Sequence, residues 1–230
     1  MPTGREVLTR MVDFLTRQDQ IAFEALVTYE AVQESGQMLH FDMIQRMAVH
    51  KPGRLHWVTL HGDATEDSAW FDRGDFTWLR QPANLWGQID LPPSIPEAVD
   101  RLVFDYDLDV PFADVLSRDL GELWLGEDVE SLQYIDEAWL EGVWTDHIAL
   151  RKPGVDLEFW VLQGDEPFPV KTHIIYTEED GRPAYSARYR NWSTTSPDDT
   201  LPEFSPPSGS EHVELVPVND QSPSLLGVLQ

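Results

Sequence analysis

Apolar side chains recur along this chain with two periods, and the change from one to the other marks its first boundary. Val7, Leu8, Met11, Val12 and Leu15 fall at helical spacing, and Thr3 with Glu6 three positions on forms a capping-box pattern ahead of them. From Ile21 the period drops to two. Ile21, Phe23, Ala25, Val27, Tyr29 and Ala31 alternate with Glu24, Thr28 and Glu30, which predicts a long strand with one face buried. Ser35-Gly36 turns the chain, and Leu39, Phe41, Met43, Met47 and Val49 carry it back. An even sum of paired residue numbers brings Tyr29 near Met43 and Ala25 near Met47; an odd sum would set Tyr29 opposite Asp42. A one-residue slip inverts a whole strand, so an odd-numbered loop around Gly36 is expected.

Turn signals then recur: Lys51-Pro52-Gly53, His61-Gly62-Asp63, Arg73-Gly74-Asp75, Lys152-Pro153-Gly154, Gly164-Asp165 and Glu179-Asp180-Gly181. The Arg-Gly-Asp triplet reads as a hairpin turn rather than an adhesion motif. Strand-like runs lie at 54–61, 66–72, 76–81, 84–90, 129–136, 140–150, 155–163, 169–178 and 183–193. Between the two groups sits a helical insertion. Ser94-Ile95-Pro96-Glu97 is a second capping-box signal before Ala98, Val99, Leu102 and Val103, with a short helix expected from Pro111 to Leu116 and another turn at Leu120–Leu125. A final strand is expected near Val213–Val216.

About eleven strands, mostly successive and antiparallel, cannot lie flat without curling. The expected fold is therefore α+β: a strongly curved antiparallel sheet, an incomplete β-barrel, with helices covering its concave side. Residues 1–218 read as a single domain and 219–230 as a disordered tail. A concave face lined by helices and aromatics is a candidate ligand cavity.

Composition narrows the partners. Lys+Arg number 16 and Asp+Glu 41, a net charge of −25, beside nine Trp, ten Phe and six Tyr. So many aromatics rule out a charge-driven disordered chain. The charge excludes nucleic acid, whose phosphates need clustered cations, and excludes docking on an anionic membrane surface. It leaves open an acyl chain held inside a cavity. There is no cysteine, hence no disulfide and no thiolate chemistry. No apolar run is long enough to span a bilayer, and Met1–Arg5 lead into an amphipathic stretch rather than a secretory core, as in a cytoplasmic protein or a mature exported form.

Candidate chemistry is sparse. No Gly-x-Ser-x-Gly elbow and no His-Glu-x-x-His pair occurs. His40 and Asp42 share a face, but two ligands make no site. Asp105-Tyr106-Asp107-Leu108-Asp109 starts like a calcium loop, yet its sixth position is Val110 and its twelfth Leu116. Those acids read instead as separating two helices, with Asp109 capping the second. No phosphate loop or dinucleotide fingerprint follows a strand. No cofactor, metal or catalytic residue is expected. Carboxylates are too abundant to signal glycoside hydrolysis, but Trp beside carboxylates keeps a saccharide-binding or saccharide-cleaving protein open as the alternative; the competing reading is Trp packed inward.

Several segments carry a family resemblance. They include Met11-Val12-Asp13-Phe14-Leu15, Lys51-Pro52-Gly53-Arg54-Leu55, Pro92-Pro93-Ser94-Ile95, Asp109-Val110-Pro111-Phe112-Ala113-Asp114, Asp156-Leu157-Glu158-Phe159-Trp160-Val161, Pro167-Phe168-Pro169-Val170-Lys171 and Asn191-Trp192. In their order, helix, hairpin, meander, helical insertion and second meander, they resemble the lipoprotein-localisation-factor (LolA/LolB-like) superfamily. Within it the chain resembles a family of bacterial predicted periplasmic proteins of unknown function. The resemblance implies a half-barrel, a periplasmic location and a non-enzymatic carrier that holds a lipid-like or acyl-chain ligand in a hydrophobic cavity. A basic envelope protein is a further possible partner for the acidic surface. The joined faces of the first hairpin nominate Phe23, Val27, Tyr29, Phe41, Met43 and Met47 as cavity lining, and alternation adds Trp57, Phe159 and Val161. That all nine form solid core is the open alternative.

Overall fold

The first helix forms where its cap requires. In this computed structural model, which describes residues 1–108, 110–116, 119–195 and 201–218, α1 spans Gly4–Arg17. The Thr3 hydroxyl accepts the Glu6 N–H at 3.2 Å, and the Glu6 carboxylate accepts the Thr3 N–H at 2.7 Å. Bonds donated to that carboxylate by the Thr3 N–H and the Thr3 hydroxyl hold the Glu6 carboxyl below its ordinary range. Strands β1 (Gln20–Val32) and β2 (Met38–His50) follow. Their loop closes with Gln33 N–H donating to the Gln37 carbonyl at 2.9 Å, around Gly36 at φ +80°. Tyr29 stacks on Phe41 at 5.3 Å, so the paired numbers sum to an even value as expected. The partner of Tyr29 is Phe41 rather than Met43.

The first meander continues as β3 (Arg54–His61), β4 (Glu66–Asp72), β5 (Asp75–Gln81) and β6 (Leu85–Asp90). The insertion holds α2 (Ile95–Tyr106), α3 (Ala113–Leu116) and α4 (Leu120–Leu125). The second meander is β7 (Ser131–Leu140), β8 (Val143–Lys152), β9 (Val155–Leu162), β10 (Pro169–Tyr176) and β11 (Ala184–Ser193), and β12 is Glu211–His212. Asp109 and residues 219–230, read from sequence as a helix cap and a disordered tail, lie outside the described residues.

Four expectations are corrected. The sheet has twelve strands in the order β12-β6-β5-β4-β3-β2-β1-β11-β10-β9-β8-β7. Its end strands do not pair, so it is an open sheet, neither closed nor strongly curled as the incomplete-barrel reading required. Strand number alone does not force curling, since open sheets of about 8–15 strands occur, and the chain clusters into two compact units, each with its own strands and helices. Second, β7 runs on to Leu140 and turns through Glu141 (φ +52°) and Gly142 (φ +86°), a two-residue turn with both φ positive. A bulge between Tyr134 and Asp136 breaks the alternation there, which is why the sequence pattern misplaces the strand end. Third, the Ser94 hydroxyl donates to the Glu97 carboxylate at 2.8 Å instead of capping a backbone N–H. Fourth, the last strand begins at Glu211 and lies parallel to β6. Leu215 then rests against Gly87, where a Cβ would meet it at 2.6 Å.

The first unit comprises Met1–Gln18, Glu24–Ile44 and Asp119–Trp192. In it α1 and α4 lie over the buried face of the second meander, with Val7, Leu8, Met11, Leu15, Leu120 and Trp124 turned inward. The second unit comprises Asp19–Phe23, Gln45–Arg118 and Ser193–Gln230. There Leu55, Trp57, Ala69, Phe71 and Phe76 alternate inward, and α2 buries Ile95, Ala98, Val99 and Leu102. On its polar face Asp67 accepts from Arg80 in a bidentate pair, both at 2.8 Å, and meets His61 at 2.9 Å. Burial alone would raise the Asp67 pKa, but these bonds hold it below the ordinary value.

α1 reaches the sheet through its first residue. A Cβ on Gly4 would lie 2.9 Å from the Gln133 carbonyl carbon and 3.1 Å from the Tyr134 nitrogen, both backbone atoms that cannot rotate away. Gly4→Ala is therefore expected to lift α1 off β7 and lower stability by about 1–3 kcal/mol, read as a lower urea midpoint with the slope retained.

Candidate functional site

The covered face of the first unit is built in rows by strand register. Leu132, Leu150 and Leu157 form one row, and Tyr134, Ile148, Phe159 and Thr172 the next. Period-two alternation places these side chains on one face, so β7, β8 and β9 supply a continuous, mainly apolar patch, bordered on β10 by Thr172, whose hydroxyl shares a hydrogen bond with that of Tyr189. Ile148, Leu150, Phe159 and Val161 are buried. Trp124 of α4 tilts over Phe159 with ring centres 5.0 Å apart. At the other end of α1, Phe14 meets Phe168 edge-on at 4.8 Å, and Phe168 stacks on Trp192 at 4.7 Å.

α4 is held at its C-terminal end by two cations. Lys152 Nζ donates to the Leu123 carbonyl at 2.6 Å and pairs with Asp128 at 2.8 Å, while Arg5 donates to the Leu125 carbonyl at 3.3 Å. Both satisfy carbonyls that a helix end leaves open, and both sit at the negative end of its dipole. At the N-terminal end Asp119 accepts the Glu122 N–H at 3.0 Å.

Beyond the apolar rows the same face turns polar. Glu137, Asp146 and Val161 form the next row, and Trp139 and Trp144 pair in the one after. The Asp146 side chain is 5% exposed and fully bonded. Arg10 donates to one of its oxygens at 2.8 Å; Gln163 Nε2 and the Tyr134 hydroxyl donate to the other at 2.9 and 3.3 Å. Burial, with the Asp146 charge beside it, pushes the Tyr134 phenol up to about 12. This network ties α1, β7, β8 and β9 together at the edge of the apolar patch.

The nine nominated residues divide between the two units. Val27, Tyr29, Phe41, Met43, Phe159 and Val161 belong to the first, and Phe23, Met47 and Trp57 to the second. Seven are buried; Tyr29 and Phe41 are half-buried and stack on each other. Phe23 meets Phe112 edge-on at 4.6 Å, and Trp57 tilts over Phe76 at 5.8 Å. Sequence reasoning missed Ile148, Leu150 and Trp124 as partners of Phe159. Alternation along β8 and the helical spacing of Leu120 and Trp124 carried that signal. It also missed that Trp139 and Trp144 stay exposed, at 61% and 52%. Among the described residues no group of three or more His, Asp or Glu side chains is placed to hold a metal.

Comparison with known proteins adds a family and a set of structural likenesses. The model of a family described as predicted periplasmic protein (DUF2092) matches residues 4–216. No curated protein matches the chain. An uncharacterized conserved protein from Thermus thermophilus is similar at 13% identity and a TM-score of 0.49, covering 91% of this chain and 98% of its own. Lipoprotein LppX of Mycobacterium tuberculosis is similar at 12% identity and a TM-score of 0.47, over 82% and 95%. A LolA superfamily protein from Nitrosomonas europaea is similar at 10% identity and a TM-score of 0.35, over 88% and 99%.

The Asp146 network makes a spectroscopic prediction. A folded-state pKa above the unfolded value means that stability is full below pH ~10, where an unfolded tyrosine ionises, and falls as pH rises towards 12. Tyr134 is expected to ionise late in a 295 nm titration of the folded protein. Tyr134→Phe should remove that late step; a titration unchanged by the substitution would contradict the assignment.

Proposed function

We propose, on the premise that the chain belongs to this predicted periplasmic protein family, that it is a non-enzymatic carrier whose first unit holds an acyl chain or similar lipid-like ligand against the apolar face of its second meander. The observation that carries the reading is the cover over that face. α4 has six residues, too few to be stable alone. It is held by buried Leu120 and Trp124, by packing on α1, and by the contacts of Lys152, Arg5 and Asp119 described above. In this reading so short a segment moves aside and re-docks on a ligand.

The energetics favour a tail over a head group. Each buried methylene is worth about 0.8 kcal/mol, so a long acyl chain gains on the order of 10 kcal/mol before ordering costs. The chain carries −25 net charge, so anionic head groups gain nothing at its surface. In this reading Val27, Phe159 and Val161 touch the acyl chain, with Met43 as an adaptable wall and the Tyr29–Phe41 stack further along the first hairpin. Phe23, Met47 and Trp57 line the apolar interior of the second unit. The acidic exterior suits release to a basic envelope protein, since complementary charge speeds encounter.

Native mass spectrometry of the purified protein is expected to show a bound species that organic extraction releases as lipid. Trp124→Ala should loosen the cover and speed uptake of a fluorescent fatty acid. A protein that is lipid-free as purified and takes up no fluorescent fatty acid, in either form, would defeat the proposal.

A further inference from the structure

Two indole rings stand exposed beyond the Asp146 row. Trp139 and Trp144 are directly opposed across β7 and β8, and their rings meet at 68° with centres 5.3 Å apart. A cross-strand aromatic pair normally gains by turning inward or by being covered. Here both rings stay more than half exposed, although Asp146 and Val161 in the row beside them are buried. Their positions are fixed: the two-residue Glu141-Gly142 turn sets the register, and Gln163 N–H donates to the Trp144 carbonyl at 3.1 Å.

Polar groups surround the pair. Glu137 is opposite Asp146 in the adjacent row, Glu141 occupies the turn, and the Arg10 side chain is 47% exposed while it bonds Asp146. The Asp146 carboxylate is held on both oxygens, by Arg10 on one and by Gln163 and Tyr134 on the other. Rigid aromatic faces beside fixed hydrogen-bonding groups suit a ligand that has one C–H face and a rim of hydroxyls. A pyranose ring is such a ligand. A purely hydrocarbon partner would desolvate Glu137 together with the exposed Arg10 and the Glu141–Arg188 pair, whose charges water now solvates. A bilayer interface would have to accept two glutamates at the tip of the hairpin. Uronic or sulfated sugars are disfavoured because Glu137, Glu141 and Asp146 outnumber Arg10 and Arg188 there.

We propose that Trp139 and Trp144, with Glu137 and Arg10 at their edge, form a binding platform for neutral saccharides built of pyranose units. The platform is separate from the apolar rows under α1 and α4, so it stands whether or not those rows hold a lipid.

The test is a titration of the full chain with neutral hexasaccharides, of gluco- and N-acetylglucosamine types, followed by tryptophan fluorescence and calorimetry. An oligouronate and zwitterionic phosphatidylcholine vesicles serve as comparators. Saturable binding of a neutral hexasaccharide is expected, weakened about tenfold or more by Trp144→Ala and by Trp139→Ala. Trp124→Phe should leave it unchanged. Because both platform rings are exposed, the two alanine variants should keep the wild-type circular dichroism and unfolding midpoint; Trp144→Tyr should bind with intermediate strength should either fail to fold. Fatty-acid uptake measured on the same variants separates this site from the interior and should not change. No saturable response to any neutral saccharide would overturn the proposal. So would equal binding of the oligouronate, or vesicle binding that the alanine variants abolish.

Discussion

Alternation along the second meander is the constraint on which the first unit depends. Once β8 puts Ile148 and Leu150 on the same face as Phe159 of β9, that face must be covered or remain in water. α1 is the permanent part of the cover. It is capped by Thr3 and Glu6, seated without side-chain clearance at Gly4, clipped through Phe14 to Phe168, and tied through Arg10 to buried Asp146. α4 is the shorter part, packed through Leu120 and Trp124 against α1 and the sheet and held at its ends by polar contacts.

Polar groups set the limit of that face. Asp146 is a charge taken out of water, which is tolerable only because Arg10, Gln163 and Tyr134 supply donors to both oxygens. Its row separates the covered apolar positions from the exposed Trp pair. The same strands therefore present two surfaces of different chemistry without any break in the sheet. The acidic residues elsewhere sit mainly on exposed strand positions and turns, where ion pairs such as Arg151–Asp156 are local. A bidentate arrangement with Arg151 holds Asp156 below its ordinary range.

Much of the chain order was legible because it rests on local rules. The capping box at Thr3, the period change at Ile21, the odd loop at Gly36 and the helix at Leu120–Leu125 each follow from side chains close in sequence. What was not legible depends on partners far along the chain. The bulge at Tyr134 shifts β7 by one position, and no nearby residue announces it. Curling was inferred from strand number, but an open sheet can reach this width without it. Phe159 and Val161 were found by alternation; their cover was not, since Trp124 lies 35 residues earlier and meets Phe159 only through tertiary packing. The exposed Trp139–Trp144 pair inverted the expectation that Trp packs inward.

The central claim is that an acyl chain replaces part of the contact between Trp124 and Phe159. Quenching by a fatty acid brominated along its chain tests it most directly, since bromine quenches indoles only at contact. The account predicts saturable quenching in the wild-type protein, with a component that disappears in Trp124→Phe while uptake of the fatty acid persists. Quenching that is absent, or identical in the two proteins, would contradict it.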